Sequence, residues 1–87
     1  MKMIIVIIKD NDADALTRAF TADKFRVTKI ASTGGLLRKG VVTMLAGVED
    51  TQVEDAIQTI KQTLPPQPSG VKRATIFVVP VQNFEQV

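Results

Sequence analysis

Between Lys2 and Lys9 lie six consecutive apolar residues, M-I-I-V-I-I, most of them β-branched. A β-strand sends successive side chains to opposite faces, so a run with no polar side belongs where both faces are covered, at the centre of a sheet. The run is far shorter than the ~20 apolar residues that cross a bilayer, and its start is too lightly charged for a secretion leader. The sequence therefore predicts a central strand in a soluble, cytoplasmic protein.

The rest of the chain alternates around that strand. Asp10-Asn11-Asp12 offers N-cap chemistry, and Ala13, Leu16, Ala19 and Phe20 recur at helical spacing, predicting a helix to about Asp23. Phe25 to Ala31 reads as a strand in which Lys29 breaks the alternation, and Val41 to Val48 as a third strand. Glu49-Asp50-Thr51 opens a second helix, with Thr51 and Glu54 at capping-box spacing. Val53, Ala56, Ile57, Ile60 and Leu64 form its apolar stripe, ended by Pro65-Pro66 and a loop to Val71. Arg73 to Val81 is the last strand, and Pro80 near its end suits a sheet edge. The order β-α-β-β-α-β predicts an α+β, ferredoxin-like sandwich: a four-stranded antiparallel sheet with two helices on one face, as a single domain over residues 1–87.

Two helices cover one sheet face only. The apolar fraction is 45% in 87 residues, and the strands are apolar on both sides. Whichever set the helices leave open, Met3, Ile5, Ile7, Leu45, Phe77 and Val79 or Ile4, Val6, Ile8, Met44, Ile76 and Val78, would face water, a patch that monomers rarely tolerate. The expectation is that other copies of the chain bury it.

The chemistry available is narrow. With no His and no Cys there is neither a proton shuttle for neutral pH nor a thiol nucleophile, so an enzyme is not expected. Asp10, Asp12 and Asp14 have calcium-loop spacing, yet Ala15 stands where the turn glycine is needed and Thr21 where the bidentate Glu is needed. Helix capping is the expected role, and no metal or cofactor is called for. RNA-recognition modules share this element order, but the first and third strands lack the aromatics that stack bases, and a net charge of +2 adds little. Neither nucleic acid nor a membrane is an expected partner.

Ligand binding is better supported. Ala31 to Gly40, A-S-T-G-G-L-L-R-K-G, combines a hydroxyl, glycine amides, two leucines and two cations. That mixture suits an anion with a flat apolar part, such as a nucleotide, and equally describes a hairpin turn with solvated charges. Arg26 and Thr28 share one strand face, either as a ligand-facing pair or as solvated strand residues. Phe77 reads as a core residue or a stacking platform, and Gln86 as part of a C-terminal tail.

The run I-A-S-T-G-G-L-L-R-K-G-V-V-T-M-L-A-G-V-E-D, Ile30 to Asp50, resembles the PII-like cyclic di-AMP receptor proteins of Gram-positive bacteria. The start, M-K-M-I-I-V-I-I-K-D-N-D-A, and the close, A-T-I-F-V-V-P-V-Q-N-F-E-Q-V, resemble the same family. The resemblance implies a signal-transducing homotrimer with a ferredoxin-like core, an unidentified protein target, and cyclic di-AMP or a related adenine nucleotide held between subunits. It implies ligand contacts from Arg26, Thr28, Gly35, Leu36, Leu37, Val41, Gly47, Phe77 and Gln86. Three positions depart from the family pattern. Leu36 replaces a Phe, Val41 replaces an Asn able to read an adenine edge, and the stretch Leu64 to Lys72 is much shorter than the usual signalling loop. An oligomeric interaction module with a degenerate nucleotide pocket is the alternative, and an amino-acid-sensing ACT-like module, which often occurs fused to an enzyme, ranks below it.

Overall fold

The computed structural model describes residues 1–31 and 40–87, in the order β1 (Lys2–Lys9), α1 (Asp10–Ala22), β2 (Arg26–Ala31), β3 (Val41–Val48), a 3-10 turn (Asp50–Gln52), α2 (Val53–Thr63) and β4 (Ala74–Pro80). The strands form one antiparallel sheet in the order β2-β3-β1-β4, with the Met3–Ile8 run at its centre. This is the ferredoxin-like α+β arrangement that the element order predicts.

Register divides the sheet into two unlike faces. Ile4, Val6 and Ile8 of β1 stand beside Ala46, Met44 and Val42 of β3, and all six are buried. They join Leu16 and Phe20 of α1, Ala56 and Ile60 of α2, and Leu64 in one apolar core. Both helical stripes thus press on the same side. The opposite residues Met3, Ile5, Ile7, Thr43 and Leu45 are only half-buried, and Phe77 and Ile30 are exposed at 51% and 47%. Coverage of β1 on both faces is therefore not achieved within one chain, and Phe77 is not a core residue.

The ends of the helices correct two local expectations. The N-cap of α1 is Lys9, which makes no side-chain cap; Asp10 and Asp12 lie in the first helical turn, where acids favour the positive end of the helix dipole. The backbone N–H of Asp10 is instead satisfied by the carbonyl of Gly40 at 2.7 Å, and Gly40 adopts φ +83°, a conformation that glycine tolerates best. Before α2, the capping box uses Glu49 and Gln52 rather than Thr51 and Glu54: Gln52 Oε1 accepts the Glu49 N–H at 2.8 Å. The 3-10 turn moved the start of the helix off the pair that the spacing favours.

α1 ends in a Schellman motif. Phe25 N–H donates to the Phe20 carbonyl at 2.9 Å and Lys24 N–H to the Thr21 carbonyl at 3.0 Å. The Phe20 and Phe25 rings meet edge to face at 5.8 Å, the apolar contact that commonly accompanies this cap. Lys24 occupies the left-handed position, φ 67°, usually held by glycine.

Lys29 breaks the β2 alternation for a reason visible in the packing. It lies on the helix side but on an edge strand, so its stem reaches past the core and Nζ meets Asp14 of α1 at 3.9 Å. Asp12 pairs with Arg73 Nη2 at 3.1 Å, and Arg73 Nη1 donates to the Pro65 carbonyl at 3.3 Å. Two of the three calcium-like acids thus stand on a helix engaged with cations. No helix among the described residues is long and apolar enough to cross a membrane.

Candidate functional site

The face left bare by the helices carries a cavity of about 790 Å³ at its β2 end, within the ~300–1,000 Å³ range of small-ligand pockets. Its floor follows from the register. Arg26 of β2 pairs with Gly47 of β3, which in turn pairs with Met3 of β1; one step along, Thr28 pairs with Leu45. All five share the open face, and the period of two that aims Arg26 and Thr28 together also brings Met3, Leu45 and Gly47 beneath them.

The C-terminal segment supplies the wall. After Pro80 the chain leaves the sheet edge, with Val81 N–H donating to the Met1 carbonyl at 3.1 Å. Residues 81–84 and Gln86 then line the same cavity as Arg26 and Thr28. The tail thus completes a concave surface.

Four residues singled out in the sequence therefore meet in one place: Arg26, Thr28, Gly47 and Gln86. Two do not. Phe77 stands on the same sheet face, opposite Ile5 and three strands from Thr28, outside the cavity lining. Val41 begins β3, six residues from Gly47 and so about 20 Å along the strand. Gly35, Leu36 and Leu37 lie outside the described residues.

The site can offer a cation and a hydroxyl above an apolar floor. No salt bridge or side-chain hydrogen bond among the described residues engages Arg26 or Thr28, so neither is committed to holding this fold. Gly47 is informative for the same reason. A Cβ added there meets nothing within 4 Å, so no neighbour in the fold demands a glycine. A mid-strand glycine without an internal cause is a place where another group approaches the backbone closely. Met3 and Leu45 had no local signal, because the β2–β3 and β1–β3 registers bring them beside Arg26 and Thr28. Met1, Val81 and Phe84 had no signal, because the path of the tail is set by tertiary packing.

A second cleft, about 400 Å³, lies between α2 and β4 beneath the 64–73 connection, lined by Ile60, Leu64 and Ile76 with Lys61, Lys72 and Arg73. It contains none of the residues that the sequence analysis assigned to a ligand.

Comparison with known proteins bears on the fold and the family. The chain is similar to a protein from Pediococcus pentosaceus ATCC 25745, described as functionally unknown, whose crystal structure matches at a TM-score of 0.79 and 33% identity, covering 99% of this chain and 96% of that one. The family profile described as cyclic-di-AMP receptor matches residues 1–69, a span that holds all five floor residues of the cavity and every element except β4. On that match, the chain belongs to the cyclic-di-AMP receptor family, PII-like proteins of ferredoxin-like fold.

Proposed function

We propose that this protein is a non-enzymatic, cytoplasmic signal transducer that binds cyclic di-AMP, or a closely related adenine nucleotide, as a homotrimer. The observation that carries the reading is the convergence of Arg26, Thr28, Gly47 and Gln86 on one cavity in a member of a receptor family. Arg26 would pair with a ligand phosphate, a charge-assisted bond typically ~1.5–3 kcal/mol. Thr28 would hydrogen-bond the same backbone, and the bare Gly47 would let the ligand approach the sheet.

Phe77 and Val41 lie outside this cavity's lining, which favours a ligand shared between copies. One subunit would offer the Arg26 side and its neighbour the remaining contacts, with Gly35, Leu36 and Leu37 closing the seam. The short 64–73 connection leaves little chain to reorder on binding, so signal output would pass through the assembled surface to a protein target.

Isothermal titration with cyclic di-AMP tests the reading. Saturable heat is expected, with Arg26→Ala weakening the affinity ten-fold or more. Absence of heat at tens of micromolar ligand overturns cyclic di-AMP as the ligand, and an unchanged Arg26→Ala removes Arg26 from the site.

A further inference from the structure

The nucleotide reading demands a surface for flat purine bases, and the sequence restricts who can supply it. The chain has no Trp, Tyr or His and four Phe. Phe20 and Phe25 are spent in the core and at the α1 cap, and Phe77 stands outside the cavity lining. Position 36, where the resembling family carries Phe, is Leu here. Phe84 remains. It is 63% exposed, makes no ring–ring contact among the described residues, and lines from the tail the same cavity as Arg26 and Thr28.

We propose that Phe84 is the base-stacking platform of this site, a specificity-determining contact that replaces an aromatic absent from the 32–39 stretch. The inference rests on the nucleotide function above. An exposed aromatic ring is poorly accommodated by water, and a purine laid on it removes apolar area from solvent on both partners. With Arg26 taking phosphate and Phe84 taking a base, the two ends of a nucleotide are engaged by two elements that line one cavity, β2 and the tail. The tail is then part of the receptor site.

The absence of Trp and Tyr makes the test clean. Cyclic di-AMP is titrated into the wild type, Phe84→Leu and Phe84→Trp, by heat for all three and by indole emission for the last. Leucine keeps the apolar bulk and removes the π face, so affinity should fall about ten-fold or more, the range of one base–aromatic stack. Phe84→Trp should bind at least as tightly as the wild type, with its single indole quenched at saturation. Thermal unfolding and oligomeric size should be unchanged in both, since the ring is largely exposed. Wild-type binding with an unaltered Phe84→Leu affinity overturns the stacking role and leaves the receptor function intact. So does a loss shared by Phe84→Leu and Phe84→Trp without quenching, which marks a packing role for the tail. A wild type that binds no cyclic di-AMP removes both claims.

Discussion

Gly47 shows how a single residue can be read against its own fold. Glycine in a strand interior gives up packing and costs backbone entropy, roughly 0.5–1 kcal/mol relative to Ala. Its neighbours across the ladders, Arg26 and Met3, leave the space above it empty. Gly47→Val is therefore expected to keep or raise thermal stability while filling the cavity floor and weakening cyclic di-AMP binding at least ten-fold. Paired melting and titration measurements check this. A variant that unfolds would mean the strand itself needs the glycine, and one that binds normally would move the ligand off β3.

At the scale of elements, the turn from α1 into β2 aims Arg26, since Phe25 is the last capping residue and Arg26 the first of the strand. The capping bonds and the Phe20–Phe25 contact fix that exit, but Lys24 holds a left-handed φ that costs an ordinary residue ~1–2 kcal/mol. Part of that gain is offset by the greater unfolded-state freedom of glycine. Lys24→Gly should consequently stabilise the fold by ~0.5–1 kcal/mol, read as a higher urea midpoint at unchanged m-value. A lower midpoint would show that the Lys24 side chain contributes more than its backbone strain costs. The edge position of β2 has a related consequence. It lets Lys29 face the helices without burying its charge, so a broken alternation marks an edge and not a defect.

For the whole molecule, the decisive asymmetry is between the two sheet faces. The helix side is closed, while the other side presents Ile5, Ile7, Leu45 and Phe77 with no helix over them. Association of copies through this face is the expected outcome at micromolar concentration. Ile5→Lys, which leaves the helix-side core untouched, should yield a folded monomer of unchanged far-UV dichroism. Sedimentation or light scattering decides it: a monomeric wild type, or an Ile5→Lys variant that stays assembled, would sink self-association through this face.

Strand and helix placement could be read along the chain because burial leaves local marks, continuous apolar runs on β1 and β3 and a period near four on α2. The caps were less legible. Thr51 and Glu54 had the right spacing, but Glu49 and Gln52 took the role once a 3-10 turn preceded the helix. For the site, Arg26 and Thr28 could be paired by parity alone. Their meeting with Gly47 depends on the β2–β3 register, and with Gln86 and Phe84 on where the tail folds back. Those are contacts between residues far apart in the chain, and no local pattern encodes them. The sequence by itself determined the element order, the apolar stripes of the helices and the family, because each follows from residue type and near-neighbour spacing. Only the tertiary structure decided which face stays open and which residues meet on it, because both depend on how the strands register and where the two helices lie.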